Sequence, residues 1–301
     1  MKLADLSPVD LNKRLHNSGL FFRIGPFSIK LRSNLTDFAS ILHRLYADYP
    51  LTVDDFADFH IKLYSPNGVR RWWRPQVRFS LDGEQPFAPF PRDTALPFLE
   101  WGLNWSVATR THYYLMLHAG VVEKNNAAIV LPALPGSGKS TLCAALIHRG
   151  WRLLSDEFAL VRPSDLALVP QPRLIPLKNE SIAIIRTFAA NAVLGPEFHK
   201  TRKGTVAHLR PPSNSVERAH EIAKARWIVF PAYQSGVECR LVPLDKEWAF
   251  MKLSHNSFNY ELLGLKGFEM VSELIDTCAT YRLELSDLDQ AVRCLDELVS
   301  A

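Results

Sequence analysis

The sequence predicts an α/β fold with an N-terminal, β-rich α+β extension. Three observations favour it. After Leu99, apolar runs of strand length alternate with amphipathic segments of helix length. Within that part, a glycine-rich turn joins the apolar run Ala127–Leu131 to a helical pattern that ends at Gly150. Before Leu99, short β-like runs separated by turn residues predominate.

Residues 1–98 are predicted to form the α+β extension. Two β runs flank the turn Gly25-Pro26, and apolar residues at helical spacing follow Thr36 as far as Tyr46. Three later runs have the spacing of an antiparallel meander, and several prolines between residues 86 and 97 indicate a connector. The predicted strands are Phe21–Phe22, Phe27–Leu31, Ile61–Tyr64, Val69–Trp73 and Val77–Leu81.

Residues 99–301 are predicted to form the main α/β domain. Its last helix begins near Ser286 and carries Leu288, Val292 and Leu295 at helical spacing. The predicted strands are Leu115–Val122, Ala127–Leu131, Trp151–Leu154, Phe158–Arg162, Trp227–Phe230, Cys239–Val242 and Tyr281–Leu285.

Composition excludes several classes of protein. The 301 residues are 47% hydrophobic and 22% charged, with a net charge of +4, which is typical of a globular chain that binds a small anion. No apolar run has the length of a membrane helix, the first residues do not resemble a signal peptide, and the four cysteines form no CxxC pair. We therefore expect a cytoplasmic protein without a membrane partner.

A short run of basic and aromatic residues, Arg70-Arg71-Trp72-Trp73-Arg74, has two interpretations. It could stack on single-stranded nucleic acid, or it could be an ordinary β-hairpin. Because the chain is only weakly basic, we expect the hairpin and no nucleic-acid partner.

The main chemical signal is the segment Pro135-Gly136-Ser137-Gly138-Lys139-Ser140-Thr141, which lies between a predicted strand and a predicted helix. Backbone N–H groups in such a turn cradle phosphate oxygens, the lysine contacts the β- and γ-phosphates, and the next hydroxyl binds Mg²⁺. Ala133 replaces the first glycine of the usual pattern. The alternative is a glycine-rich turn before an ordinary helix.

Asp156 and Glu157 follow the predicted strand Trp151–Leu154, only 17 residues after Lys139. A carboxylate in this position can hold Mg²⁺, and its neighbour can accept the proton of an incoming hydroxyl. The alternative is a helix cap or a solvated turn.

His118 and the basic loop Lys200–Lys203 are weaker candidates. A histidine in an apolar strand is usually a core residue, and basic loops are usually solvated turns. A kinase nevertheless needs cations near the transferred phosphoryl group, which makes Arg202 and Lys203 candidates, together with Arg173 and Lys178.

Three segments together resemble the catalytic core of the HPr kinase/phosphorylase family, in particular its divergent HPr-kinase-related group. They are Leu117-His118-Ala119-Gly120, Gly136-Ser137-Gly138-Lys139-Ser140 and Leu153-Leu154-Ser155-Asp156-Glu157. That family has a histidine-glycine strand, a Gly-x-x-Gly-x-Gly-Lys-Ser loop and an Asp-Asp pair. The resemblance covers about Tyr114–Val161, is suggestive over Pro172–Ile185 and is absent from Met1–Leu99. Glu157 in place of the second aspartate and Ala119 between His118 and Gly120 depart from it.

The resemblance implies a phosphoenolpyruvate-carboxykinase-type P-loop nucleotide-binding fold in residues 99–301, with ATP and Mg²⁺ as cofactors. By resemblance, Lys139 and Ser140 bind phosphates and Mg²⁺, Asp156 and Glu157 divide metal binding and general-base work, and His118 assists near the γ-phosphate. The implied activity is phosphorylation of a serine or threonine hydroxyl in a small protein or peptide.

The sequence leaves three points open. A small-molecule kinase and a nucleotide-binding regulator without transfer activity remain alternatives. The family's reverse reaction, phosphorolysis, is not implied, because it depends on a finely placed active site. The sequence is compatible with a homo-oligomer but does not establish one.

Overall fold

A computed structural model of the protein describes residues 1–52, 56–68, 73–133 and 136–300. Three β-sheets, of five, eight and three strands, are arranged with helices around them. The prediction of a mixed α/β architecture is confirmed.

The five-stranded sheet belongs to the N-terminal region and has the order β1-β2-β3-β4-β5. Strands β2 and β3 are parallel, with helix α2 in the connection between them, whereas the other neighbours are antiparallel. The elements are α1 (Pro8–His16), β1 (Leu20–Ile24), β2 (Phe27–Ser33), α2 (Phe38–Leu45), β3 (Phe59–Tyr64), β4 (Gln76–Leu81) and β5 (Phe90–Pro91).

The predicted three-stranded meander in this region is wrong in its order. Strand β3 pairs directly with β4, with Ile61 opposite Leu81, so no third strand lies between them. The strand predicted over Val69–Trp73 falls on residues 69–72, which lie outside the described residues. The other predicted elements of the region are confirmed. On α2, for example, Leu42 and Leu45 lie on one buried face, as their helical spacing predicts.

The eight-stranded sheet forms the centre of the molecule, in the order β10-β9-β6-β7-β14-β16-β15, with β8 also paired to β6. Its strands are β6 (Leu115–Lys124), β7 (Ala127–Pro132), β8 (Arg152–Ser155), β9 (Phe158–Val161), β10 (Leu168–Val169), β14 (Ala225–Tyr233), β15 (Arg240–Pro243) and β16 (Ala279–Leu285). Strands β7, β14 and β16 are parallel to one another, as expected where helices cover the sheet.

Helices cover both faces of the central sheet. One face buries Val122 and Leu131 against α4 (Lys139–Ile147) and α10 (Leu288–Ser300). The opposite face buries Val121 and Val130 against α7 (Lys246–His255) and α9 (Leu265–Thr277). Side chains alternate between the two faces along β6. His118 and Gly120 therefore lie on the same face as Val122, which is the face that α4 covers.

The three-stranded sheet, in the order β11-β13-β12, lies beside the central one. Its strands are β11 (Ile175–Lys178), β12 (Phe198–Thr201) and β13 (Gly204–Leu209). The described residues also include the helices α5 (Glu180–Phe188), α6 (Ser213–Glu217) and α8 (Tyr260–Leu263).

Helix α3 (Ala95–Arg110) links the N-terminal sheet to the rest of the chain. It crosses residue 98, and its apolar residues share one core with that sheet and with Phe158 and Leu174. A buried polar network continues the link, because Glu100 of α3 accepts hydrogen bonds from Tyr46 and from Arg173. The division of the chain at residue 98 stays a prediction.

No helix among the described residues has the length and apolar composition needed to cross a membrane.

Candidate functional site

The glycine-rich segment forms the turn between β7 and α4. Gly136 and Gly138 have φ angles of 91° and 87°, in the left-handed region that side chains with a Cβ rarely adopt. Gly138 occupies the N-cap of α4. The backbone N–H groups of Lys139, Ser140 and Thr141 therefore belong to the first helical turn, where no intrahelical acceptor exists. Pro135 lies outside the described residues.

Gly120 allows α4 to lie directly on strand β6. A Cβ at Gly120 would come within 2.5 Å of Cys143 Sγ, so a larger residue here would require the Cys143 side chain or α4 to shift. The same position would be 3.6 Å from Lys139 Cγ. This close approach brings the first turn of α4 next to the strand that carries His118.

Asp156 and Glu157 interrupt the pairing of β8 and β9 with strand β6. Ser155 pairs with Val121 and Phe158 pairs with His118, and the two acidic residues lie between these pairs. The backbone N–H of Phe158 donates to Ser155 Oγ over 3.1 Å, which stabilises the bend. Asp156 and Glu157 therefore lie beside the part of β6 that contains Ala119 and Gly120.

Asp156 is the centre of the contacts at the start of α4. Its Oδ2 accepts a 2.8 Å hydrogen bond from Ser140 Oγ, and its Oδ1 lies 3.2 Å from Lys139 Nζ. Lys139 Nζ also donates to the backbone carbonyl of Asp156. Lys139 and Asp156 are 8% and 3% exposed, so this ion pair is shielded from solvent.

The lysine remains charged in this environment. Burial acts to lower the pKa of Lys139, but the nearby charges of Asp156 and Glu157 outweigh it and raise the pKa above its usual value. A cation is thus held at the N-terminal end of α4, where the helix dipole also favours negative ligands.

Glu157 faces His118. The distance from Glu157 Oε2 to His118 Nε2 is 3.6 Å, which is long for a hydrogen bond but close enough for electrostatic attraction. Burial acts to raise the pKa of Glu157, whereas His118, Lys139 and Lys178 together lower it to about 2. Glu157 is therefore a carboxylate at neutral pH. The His118 ring also contacts the ring of Phe258, at 5.6 Å between centroids.

The predicted basic loop is the tight turn of the β12–β13 hairpin. Thr201 Oγ1 donates to the Gly204 carbonyl over 2.7 Å, and the N–H of Lys203 donates to Thr201 Oγ1. The Asn179 side chain accepts a 3.0 Å hydrogen bond from the Thr205 N–H, which ties the hairpin to the end of β11.

Lys178, at that end of β11, connects the hairpin with the acidic pair. Burial and the charge of Lys203 lower its pKa, although Glu157 and Asp156 act in the opposite direction. Lys178 of β11 and Lys203 of the hairpin turn therefore line the same cavity as the acidic pair.

A cavity of about 580 Å³ opens beside the acidic pair. It extends from Asp156 and Glu157 between the segment 88–104 and the β12–β13 hairpin. Several of its lining residues were missed by the sequence analysis: Phe90, Glu100, Trp101, Asn104, Gln171 and His208. The dense prolines and aromatics of residues 86–101 were a signal, but their spacing was interpreted as a connector.

The structure brings together most of the predicted site residues. Lys139, Ser140, Asp156, Glu157 and His118 lie in one contiguous group, with Arg202 and Lys203 on the rim of the cavity.

Two predicted residues lie near this group without a side-chain contact to Asp156. Thr141 is half-buried in the first turn of α4, and the buried hydroxyl of Ser137 has no partner among the described residues.

Within the described ranges, no group of three or more His, Cys, Asp or Glu side chains forms a metal cage. The oxygens of Ser140 and Asp156 are hard ligands of the kind that Mg²⁺ prefers, and Mg²⁺ commonly takes its remaining ligands from water and substrate phosphates. The residues present therefore fit a Mg²⁺ ion that is bound together with a nucleotide.

The fold and this site define a mixed α/β protein in which a glycine-rich turn and a buried lysine contact an acidic pair, and the acidic pair lines a cavity. No protein-family model matches the chain, and no curated protein matches it significantly.

Proposed function

We propose that this protein is an ATP- and Mg²⁺-dependent kinase that phosphorylates a hydroxyl group and resembles the HPr kinase/phosphorylase family. In this proposal the central sheet with α4 is a P-loop nucleotide-binding unit of the phosphoenolpyruvate-carboxykinase type. The observation that carries the proposal is the contact of Lys139 and Ser140 with different oxygens of Asp156.

The phosphates of ATP would bind at the N-terminal end of α4. The N–H groups of its first turn, the cation of Lys139 and the positive helix end all favour an anion there. Ser140 Oγ and Asp156 would hold Mg²⁺, since their oxygens are within 2.8 Å of one another. When bound, Mg²⁺ neutralises charge on the β- and γ-phosphates.

The geometry supports different roles for the two carboxylates. Both oxygens of Asp156 are engaged by residues of α4, which favours the metal role. Glu157 faces His118 and lines the cavity, which favours contact with the acceptor hydroxyl. With a pKa near 2, Glu157 is a weak base. It would orient the hydroxyl and accept its proton late, as suits a loose transition state.

Cations on the far side of the acidic pair would stabilise the transferring phosphoryl group. Burial and then the charge of Lys203 lower the pKa of Lys178, so an anion between the two lysines would relieve their repulsion. Charge that develops in the transition state would interact most strongly with them.

Two acceptor classes follow from different observations. The family resemblance favours a serine or threonine in a small protein or peptide. The cavity beside Glu157 favours the second candidate, the hydroxyl of a small molecule.

Acceptor-dependent release of ADP from Mg²⁺-ATP tests the proposal. Purified protein is assayed with serine peptides, free serine and small hydroxyl compounds, and ATP affinity is measured in parallel by calorimetry. Turnover that requires both Mg²⁺ and an acceptor supports a kinase. ATP binding without turnover across these acceptors would instead indicate a nucleotide-binding regulator.

A further inference from the structure

We propose that the cavity beside Glu157 is the acceptor site, and that the acceptor is a small hydroxyl compound with a flat, apolar body. This inference rests on the proposed kinase activity and names the substrate class of that site.

The position of the cavity separates it from the proposed phosphate site. Its lining includes Ser155, Asp156 and Glu157 but no described residue of the glycine-rich turn or of α4. It therefore begins at the acidic pair and extends away from Lys139. A molecule in it would present one end to Glu157 and, across the acidic pair, to the γ-phosphate.

One wall of the cavity is flat and apolar. Phe90 and Phe98 stack with their centroids 4.5 Å apart, and Trp101 contacts both rings. The guanidinium of Arg202 lies over Phe90, 5.9 Å from the ring centroid, and closes this wall at the rim. Pro89, Pro91, Pro97, Leu174, Pro176 and Val206 supply further apolar surface. Planar rings and prolines offer the best contact to a planar ligand.

Three buried polar atoms of cavity-lining residues have no hydrogen-bond partner among the described residues. They are Gln171 Oε1, Arg173 Nε and His208 Nδ1. Their side chains are more than nine-tenths buried. An unpartnered buried polar atom destabilises the folded protein. The protein itself covers these three atoms, so the contacts offered to a bound molecule come from the other atoms of the lining side chains.

Size and charge favour a small molecule over a protein side chain. A volume of about 580 Å³ lies within the range of small-molecule sites and exceeds what a serine side chain occupies. Arg173 is paired with Glu100 at 2.5 Å, so the charge of this buried lining residue is compensated. A serine carried on a protein surface would leave most of the cavity unfilled.

Binding of 2-(4-hydroxyphenyl)ethanol without nucleotide is the first test. This probe has a planar ring, a primary hydroxyl and a second polar group at the opposite end. Free serine, which lacks the apolar body, and a capped five-residue alanine peptide with one central serine are the comparison ligands. Ligand-observed NMR titration should give a dissociation constant at least ~10-fold lower for the probe than for either comparison ligand.

Three variants locate the binding. His208→Phe and Gln171→Met change the polarity of lining side chains while nearly keeping their size, and Trp101→Ala truncates a wall residue that is 42% exposed. Each should weaken probe binding at least ~5-fold and leave the affinity for ATP unchanged. His220→Phe, on an exposed histidine outside the cavity, is the matched control and should bind the probe as the unmodified protein does.

The outcomes separate the two proposals. Equal binding of the probe by the three variants and the unmodified protein, or no binding at all, overturns the acceptor-cavity inference. Phosphorylation of the peptide without probe binding overturns it too and leaves the kinase proposal standing. Probe binding that depends on the cavity residues, in a protein that does not bind ATP, overturns the kinase proposal and retains the cavity as a ligand site.

Discussion

The two halves of the candidate site differ in how their polar groups are satisfied. At the start of α4, both oxygens of Asp156 have partners within the protein, Lys139 and Ser140. Among the residues that line the cavity, buried polar atoms of Gln171, Arg173 and His208 have none among the described residues. The first half is preorganised and holds its geometry without ligand, whereas the second contains unsatisfied buried groups that lower the stability of the fold.

The strongest test of the preorganised half is Lys139→Ala. No other side chain of the turn supplies a cation there, so kcat/KM should fall at least ~10³-fold and ATP affinity should decrease. Steady-state kinetics and calorimetry measure the two effects. Lys246→Ala removes an exposed lysine paired with Asp276 and should behave as the unmodified protein. Full activity in the Lys139 variant would overturn the phosphate-site assignment.

Neutralising Asp156 and Glu157 one at a time should distinguish the two halves of the candidate site. Asp156→Asn and Glu157→Gln each keep side-chain size and should each lower kcat at least ~10²-fold. Because Asp156 contacts Ser140 and Glu157 faces the cavity, only Asp156→Asn should also raise the Mg²⁺ concentration needed for half-maximal rate.

Asp165→Asn, on a surface carboxylate paired with Arg162, is the control for this pair of variants. Wild-type rates in both acidic variants would mean that the pair only caps the bend between β8 and β9.

Replacing the two cations of the β12–β13 hairpin should have intermediate effects. The substitution at Lys203 should change kcat, and the one at Arg202 should change the KM for the acceptor. Lys203, which influences Lys178, should lower kcat about 10-fold when changed to alanine, with little effect on ATP affinity. Arg202 lies over Phe90 on the cavity wall, so Arg202→Ala should raise the KM for the acceptor instead. Kinetics against both substrates at two ionic strengths distinguish these effects from an acidic protein partner, whose binding would depend steeply on salt.

Arg186→Ala, at an exposed pair with Glu197, serves as the control for the hairpin variants. If neither hairpin variant changes any kinetic constant, the loop is a solvated turn.

The smallest expected effect is on stability in acid. The folded protein holds the pKa of Glu157 near 2, below its ordinary value of 4.5. The resulting stabilisation is fully present above pH 4.5 and is lost as the pH falls towards 2. Allowing for the partial exposure of this side chain, it amounts to about 1 kcal/mol.

Urea unfolding of Glu157→Gln and the unmodified protein at a series of pH values measures this contribution. The difference in unfolding free energy between them should shrink below pH 4.5. A difference that is constant between pH 6 and pH 3 would contradict the lowered pKa.

The half of the site whose residues are close together in the chain could be predicted from the sequence. Lys139 and Asp156 are separated by one helix and one strand, so periodicity and a glycine-rich turn predicted their proximity. Most strands and helices were predicted for the same reason. The parallel pairing of β2 with β3 was missed, because pairing partners depend on contacts between distant segments rather than on local pattern.

The cavity could not be predicted because its walls come from three distant segments. Residues 88–104, 171–178 and 201–208 meet only in the folded chain. His208 illustrates this, because nothing in its sequence neighbours indicates burial with an unpartnered nitrogen. Arg173 was suggested as a free cation, but the fold pairs it with Glu100 of α3.

The tight contact between Gly120 and Cys143 makes one thiol a reporter of local opening. Cys143 is fully buried, and burial raises the pKa of its thiol, so a maleimide reagent can attack it only after α4 lifts from β6. The labelling rate at this cysteine, followed by peptide mass spectrometry under native conditions, thus measures the free energy of that opening. A nucleotide bound at the N-terminal end of α4 should slow the labelling, because the bound state holds the helix on the sheet.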